Sequence, residues 1–215
     1  MRQTLFIRDD IILSLPDGPI GISFSGGADS TILLYLALKQ LRKYKLHLFT
    51  LGLGFRDLNE YHKTSKVLTK VCDLTKNYNV QHHFTLISDI SEAEDMFRTP
   101  YEFALKHNII SAILCGGNAN PPYEVLKDNY FLTSDNGKPP LDADRSPDIK
   151  RPIKENAVLY TPLTNLNKQE IFKIYDDNGV LEELLPVTQS CWAIPECGKC
   201  WHCFERNWGL KFKNS

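Results

Sequence analysis

Two short segments of the sequence contain residue types at spacings that could do chemistry. The first, residues 24–30, reads Phe-Ser-Gly-Gly-Ala-Asp-Ser and lies between a short apolar run and a helical pattern. At such a strand-to-helix junction, backbone N–H groups and the helix dipole attract anions. Gly26 and Gly27 let the backbone approach a phosphate, and Ser25 and Ser30 can donate hydrogen bonds to it. Asp29 can hold Mg²⁺ or orient neighbouring amides. This segment predicts a phosphate-binding loop, and an ordinary glycine-rich turn is the alternative.

The second segment is a cluster of four cysteines near the C-terminus. Its members are Cys191, Cys197, Cys200 and Cys203. Two consecutive Cys-x-x-Cys steps can close a tetrahedral thiolate shell around one metal, so we predict a structural Zn²⁺ site. An iron–sulfur cluster is the alternative, because such clusters also use this spacing, and His202 could replace one thiolate. Cys72 and Cys115 stand apart from the cluster and are predicted to be small core residues.

Strands that alternate with helices must position these two segments. Apolar runs predict strands at 19–24, 46–51, 80–87, 109–115 and 158–163, and helical spacing predicts helices at 30–44, 59–78, 91–106 and 167–178. This alternation predicts an α/β fold with a doubly wound parallel sheet that has helices on both faces. The last helix should begin with a capping box, because Asn167 is followed three residues later by Glu170.

Residues 120–155 break the pattern. This stretch holds six prolines and has almost no periodicity. Long irregular connections are either functional or solvated, so it is interpreted as a lid or substrate loop, with a solvated insertion as the alternative. Its charged residues Asp142, Asp144, Arg145 and Arg151 could meet a polar ligand. We predict an α/β domain at 1–185 and a small cysteine knuckle at 186–215.

The composition narrows the class of protein. A chain of 215 residues with 42% hydrophobic residues can bury the core of one globular unit. The net charge of -1 gives no general attraction to nucleic acid or an anionic membrane. Asp9 and Asp10 stand where a secretory signal would need its apolar core, and no apolar stretch reaches membrane-spanning length. We therefore expect a cytosolic protein whose thiols stay reduced.

The phosphate loop carries a resemblance to a known superfamily. Residues 25–30 match the Ser-Gly-Gly-x-Asp-Ser signature of the PP-loop ATP pyrophosphatases, whereas the Walker loop would need a lysine after its last glycine. Three further segments, Thr161–Leu163, Asn167–Ile171 and Ser190–Arg206, follow the order found in the 7-cyano-7-deazaguanine synthase family. The chain therefore resembles that family over about half of its length.

This resemblance implies the fold of the adenine nucleotide α-hydrolases, which is Rossmann-like, and an ATP-dependent ligase. A heterocyclic carboxylate would attack the α-phosphorus of ATP, and ammonia would then displace AMP to give an amide or, with a second ATP, a nitrile. Asp29 with Mg²⁺, Ser30 and Lys168 would be catalytic, with Lys168 stabilising the pyrophosphate charge. A solvated first-turn lysine is the alternative for Lys168. The predicted nucleotide-binding residues are Ser23, Phe24, Ser25, Gly26, Gly27, Ala28, Asp29, Ser30, Gly116 and Gly117.

The middle of the chain departs from the family pattern. The family carries an acidic residue and a Tyr-Pro-Asp-Cys segment after the fourth strand, where this chain has Gly117–Glu124. Other substrates therefore stay open: those of another PP-loop amide ligase, of an RNA-modifying enzyme, or of an enzyme that conjugates a deazapurine acid to a larger partner. A non-catalytic zinc-ribbon module is a further alternative, and a homodimer is left open.

Overall fold

A computed structural model describes residues 2–53, 57–87, 104, 107–126, 148–154, 157–191, 193 and 196–214. The strands are β1 (Arg2–Arg8), β2 (Ile11–Pro16), β3 (Ile20–Ser23), β4 (Leu46–Leu53), β5 (Val80–Ile87), β6 (Ala112–Leu114), β7 (Lys150–Lys154) and β8 (Ala157–Tyr160). The helices are α1 (Ala28–Gln40), α2 (Asp57–Thr75), α3 (Tyr123–Leu126), α4 (Lys168–Asp177), α5 (Leu181–Leu184) and α6 (Trp201–Gly209). Short 3₁₀ turns follow α5 at Leu185–Val187 and α6 at Leu210–Asn214.

The centre of the fold is a six-stranded sheet in the order β5-β4-β3-β6-β8-β7. All neighbouring strands are parallel except β7, which runs antiparallel to β8 at the edge. The predicted parallel sheet is therefore confirmed, with one antiparallel edge strand that lies inside the stretch interpreted as irregular. The chain runs from β3 through β4 to β5 on one side of the sheet and continues with β6 on the other side of β3. Ligands of such sheets bind where the strand order reverses.

The two faces of the sheet carry separate groups of apolar side chains. Ile22 on β3 and Leu48 on β4 belong to the large core that also includes α1, α2 and α4. Phe49 on β4 and Ile113 on β6 point to the other face, where they pack with the helical residue Ala104. Since neighbouring strand residues alternate between faces, both faces of the sheet are covered, as the sequence predicts.

Strands β1 and β2 form a separate antiparallel hairpin that the sequence analysis did not identify. Their residues alternate between exposed and buried, which is the period of a half-buried strand. The side chain of Gln40 at the end of α1 fastens the hairpin, because its oxygen accepts from Phe6 N and its nitrogen donates to Phe6 O, both at 2.8 Å. This hairpin therefore extends the core at the start of the chain.

Most described elements lie within a few residues of their predicted bounds, and β5 matches its prediction at both ends. The capping box is confirmed: the Asn167 side chain accepts from Glu170 N, and the Glu170 side chain accepts from Asn167 N. The predicted helix at 91–106 lies outside the described residues except for Ala104. Within the described ranges, no helix is both long enough and apolar enough to cross a bilayer.

Candidate nucleotide site and metal cluster

The predicted phosphate loop connects the central strand β3 to α1. The loop is fastened at its start, where Phe24 N donates to Phe49 O on β4 at 2.8 Å. Gly26 has a φ of 68°, a left-handed conformation that glycine adopts without steric cost. The side chains of Phe24 and Ala28 are buried in the core and so anchor the two ends of the loop. Ser23 ends β3 and leads directly into the turn.

Hydrogen bonds to the hydroxyl groups of Ser25 and Ser30 stabilise the turn. Ser30 Oγ accepts from Ser25 N at 3.2 Å and lies 3.3 Å from Ser25 Oγ. Ser25 Oγ in turn accepts from Gly27 N at 3.3 Å. No described side chain caps the first turn of α1, which begins after Gly27. The helix amides and dipole are therefore presented at the carboxyl end of the central strand, where an anion is attracted.

The two glycines after β6 lie beside this turn but differ in their surroundings. A Cβ built on Gly116 would lie 2.9 Å from Ser30 N and 3.1 Å from Asp29 Cβ, which is too close for any other residue. A Cβ on Gly117 would meet nothing within 4 Å. Gly116 is therefore required by close approach of two backbones, whereas Gly117 borders open space beside the turn.

Lys168, the first residue of α4, reaches the phosphate loop from the side. Its Nζ lies 2.7 Å from both carboxylate oxygens of Asp29 and 3.4 Å from Glu205 Oε2. Only 3% of the Lys168 side chain is exposed, so the alternative of a solvated lysine is wrong. Burial by itself lowers the pKa of Lys168, but the charges of Asp29 and Glu205 outweigh burial and raise it. Lys168 is therefore a buried ammonium held at the loop.

The neighbours of Lys168 fix its position. The capping box sets the start of α4 and so places Lys168 at its first turn. A Cβ built on Gly209 would lie 2.6 Å from Lys168 Cγ, so α6 packs directly on the lysine stem because residue 209 is glycine. Tyr175 lies two turns further along α4. Its hydroxyl group donates a hydrogen bond to Ala28 O, which ties α4 to the start of α1.

The four predicted metal-ligating cysteines come together in space. All four Sγ atoms lie within 4.8 Å of one another, with Sγ–Sγ distances of 3.5 Å for Cys191–Cys197 and 3.6 Å for Cys200–Cys203. Zinc–sulfur bonds of about 2.3 Å in a tetrahedron require sulfur atoms about 3.8 Å apart, so the cluster fits a single tetrahedral ion. In a four-iron cubane each thiolate binds a different iron, which would demand wider spacing.

Backbone amides prepare one thiol of the cluster for a cation. Hydrogen bonds from the N–H groups of Lys199 and Cys200 lower the pKa of Cys197 to about 6, whereas burial raises the pKa values of Cys200 and Cys203. Cys72 is buried, and burial raises the pKa of its thiol to about 11, as expected for a core residue. Burial also raises the pKa of Cys115, although this residue is only half-buried in terms of its surface.

The phosphate loop and the cysteine cluster adjoin each other. Gln189, two residues before the first cysteine, donates its N–H to Gly26 O at 3.2 Å. A Cβ built on Gly27 would lie 3.5 Å from Ser190 Oγ. Arg206 fastens the far side of the cluster, because its guanidinium donates to Thr188 Oγ1 at 2.8 Å. Segments from the two ends of the sequence thus form one site.

Comparisons with known proteins bear on what this site does. The family model described as "Queuosine biosynthesis protein QueC" matches residues 149–214, and the model described as "Asparagine synthase" matches residues 14–101. The chain is 25% identical over 218 residues to 7-cyano-7-deazaguanine synthase of Staphylococcus epidermidis strain RP62A, covering 88% of this chain and 91% of that one. For the synthase of Staphylococcus aureus strain RF122 the values are 26% over 217 residues, with 88% and 90% covered.

The chain resembles 7-cyano-7-deazaguanine synthase. The predicted resemblance is therefore confirmed, and it supports an enzyme of the PP-loop kind. A likeness in fold alone is found with the tRNA thiolase NcsA from Methanococcus maripaludis, solved with its 4Fe–4S cluster, at 13% identity and a TM-score of 0.50. It covers 92% of this chain but 66% of the thiolase, so this chain spans about two thirds of the length of that protein.

The sequence analysis did not identify two polar residues of the site, Glu205 and Asn118. Glu205 is buried on α6 beside Lys168, and its Oε1 accepts a hydrogen bond from Asn118 Nδ2 at 2.7 Å. The sequence does place Glu205 two residues after the predicted metal ligand Cys203, but the helix that carries both residues was not predicted.

Of the charged residues of the predicted loop, Arg151 lies on β7. The other charged candidates, Asp142, Asp144 and Arg145, lie outside the described residues.

Proposed function

We propose that this protein is an ATP-dependent ligase that activates a carboxylate by adenylation and passes it to ammonia. The observation that carries the proposal is the phosphate loop at the carboxyl end of β3, with the partly buried ion pair of Asp29 and Lys168 beside it. A hydrolase-type triad is not needed for this reaction, because ATP and the carboxylate supply both reacting groups.

Four residues of the loop, together with Lys168, would have distinct roles in this reaction. The amides at Gly26 and Gly27 and the hydroxyl of Ser30 would hold the phosphates, since they surround the turn before α1. The Asp29 side chain is 20% exposed, against 3% for Lys168, so Asp29 is the carboxylate that would be within reach of Mg²⁺. Mg²⁺ would neutralise charge on the departing pyrophosphate, and the Lys168 ammonium would stabilise that charge from the other side.

We propose Zn²⁺ as the ion of the cysteine cluster, in a structural role. Four of the Sγ–Sγ distances are 3.5–4.0 Å and all lie within 4.8 Å, which supports a single tetrahedral ion. Four protein ligands leave no open position for catalysis. Such an ion would hold Gln189 and α6 against the phosphate loop, so its removal would loosen one wall of the nucleotide site.

For the substrate we propose 7-carboxy-7-deazaguanine or a closely related planar heterocyclic acid, with ammonia as the nitrogen donor. The match of residues 149–214 to the QueC model and the similarity to two synthases of the same name support this choice. The carboxyl group would become an amide, and a second adenylation of the amide oxygen would give the nitrile. We propose that the reaction takes place in the cytosol.

The segment from Gly117 to Glu124 favours a second candidate, a related PP-loop ligase with a different acid. It lacks the Tyr-Pro-Asp-Cys segment of the resembled family and carries Pro121 and Pro122 instead. A site that hydrogen-bonds its substrate rejects analogues that lack the partner group, so a changed segment here would change the acid. A non-catalytic zinc ribbon is disfavoured, because it gives the phosphate loop no task.

The test is to incubate the purified protein with ATP, Mg²⁺, an ammonium salt and 7-carboxy-7-deazaguanine, and to follow pyrophosphate, AMP and the mass of the heterocycle. We expect one AMP for each amide formed, or two for each nitrile. AMP without a new heterocycle would retain the ATP chemistry and remove this substrate. No pyrophosphate release with this or any other carboxylate would remove the ligase proposal.

A further inference from the structure

The buried lysine at the phosphate loop lies between two carboxylates. Lys168 Nζ lies 2.7 Å from the oxygens of Asp29 and 3.4 Å from Glu205 Oε2. Asp29 is 20% exposed, whereas Lys168 and Glu205 are 3% and 8% exposed. Of the three charged groups, Asp29 is therefore the most accessible from solvent, whereas Glu205 is enclosed by protein.

Glu205 is held in place by a partner other than Lys168. Its Oε1 accepts from Asn118 Nδ2 at 2.7 Å, which leaves Oε2 for Lys168. Its helix α6 is tied down by Arg206 and touches the Lys168 stem again at Gly209, one turn further along the same face. Glu205 therefore cannot follow Asp29 if that carboxylate moves toward a ligand.

A buried ammonium that loses its counter-ion is strongly destabilised. If Asp29 turned to the Mg²⁺ of a bound nucleotide, Lys168 would need another carboxylate to remain charged and in place. We propose that Glu205 is a positioning residue: it takes over as the counter-ion of Lys168, which frees Asp29 to bind the metal of the nucleotide. This inference rests on the proposed binding of Mg²⁺·ATP at the phosphate loop.

The proposal makes a specific claim about how Mg²⁺ affects nucleotide binding. In Glu205→Gln, Asp29 becomes the sole counter-ion of Lys168, so drawing it onto Mg²⁺ strands a buried charge. The same change removes one negative charge from the site, which favours nucleotide without Mg²⁺. Both effects reduce the factor by which Mg²⁺ improves affinity, and a lost charge-assisted contact corresponds to a fall of about tenfold or more.

The experiment is calorimetric titration of the full chain with α,β-methylene-ATP, which cannot release pyrophosphate, in the presence and absence of Mg²⁺. The ratio of the two dissociation constants is compared for the wild type, Glu205→Gln and the control Glu182→Gln. Glu182 also pairs with a lysine, Lys213, but it is 82% exposed. We expect the ratio to fall about tenfold in Glu205→Gln and to stay unchanged in Glu182→Gln.

An unchanged ratio in folded Glu205→Gln, or equal weakening with and without Mg²⁺, would overturn the proposal, because a structural role would affect both affinities alike. Should Glu205→Gln fail to fold, Asn118→Ala decides instead. It keeps the charge of Glu205 but removes its hydrogen bond, so the ratio should fall in the same direction by a smaller factor. A wild type that binds no nucleotide in either buffer would refute the proposed ATP site rather than the role of Glu205.

Discussion

A pair of neighbouring glycines gives a sharp test of the nucleotide site. A methyl group added at Gly116 would lie 2.9 Å from Ser30 N, about half an ångström inside ordinary contact at 3.4 Å. The clash is with backbone at the first turn of α1, so the turn has to move. At Gly117 the added methyl would meet nothing within 4 Å. Gly116→Ala and Gly117→Ala are therefore matched in chemistry and differ in the predicted displacement.

The size of the effect follows from this displacement. Overpacking a tight contact costs about 1–3 kcal/mol, which should lower the melting temperature of Gly116→Ala. Productive sites are held to about 0.5 Å, so a shift of this size should weaken at least one amide bond to a phosphate. A hydrogen bond to a charged group contributes about 1.5–3 kcal/mol, so affinity for ATP should fall roughly ten- to a hundredfold.

The assay is calorimetric titration with Mg²⁺·ATP, together with thermal unfolding of both variants. We expect Gly117→Ala to bind within twofold of the wild type. Wild-type affinity in Gly116→Ala would refute the placement of phosphates at this turn, and so would equal weakening in the two variants.

Three other predictions test separate parts of the site. Asp29→Ala should abolish pyrophosphate release while the protein stays folded, and unchanged turnover would contradict the role of Asp29. The protein should contain one Zn²⁺ per chain, and Cys200→Ser should lose it in metal analysis; iron with inorganic sulfide would contradict this assignment. Burial lowers the pKa values of His47, His82 and His83 below 6.5, so their contribution to stability is present above about pH 6.5 and lost as the pH falls below it. Unfolding in denaturant at pH 7.5 and 5.5 should show the loss, and His83→Phe, which keeps the ring stack, should reduce it.

The alternation of strands and helices could be predicted because each element has its own periodicity. Leucines at helical spacing predict α1, and the apolar run before Ser25 predicts β3. The hairpin of β1 and β2 has an equally clear period of two but was not identified, although Leu5 and Leu15 are both fully buried. Strand β7 could not be predicted, since Pro152 is not typical of a strand interior and an edge position tolerates it.

The spacing of residues within each segment was enough to predict a phosphate-binding loop and a metal-binding cysteine cluster. Their mutual position could not be predicted, because Gln189 meets Gly26 only through the path of the whole chain. The role of Lys168 was left open for the same reason: a first-turn lysine is usually solvated, and its burial depends on Glu205 and Gly209, which lie on another helix. Contacts between distant segments are set by packing, which periodicity does not reveal.

The central claim is that the carboxylate itself attacks the α-phosphorus of ATP at the phosphate loop. The most direct measurement uses 7-carboxy-7-deazaguanine labelled with ¹⁸O in both carboxyl oxygens, with ATP, Mg²⁺ and ammonium, and mass spectrometry of the products. If the acid is adenylated and ammonia then displaces AMP, each AMP carries one ¹⁸O and the pyrophosphate carries none. Unlabelled AMP, or label in inorganic phosphate with ADP as the other product, would contradict the account.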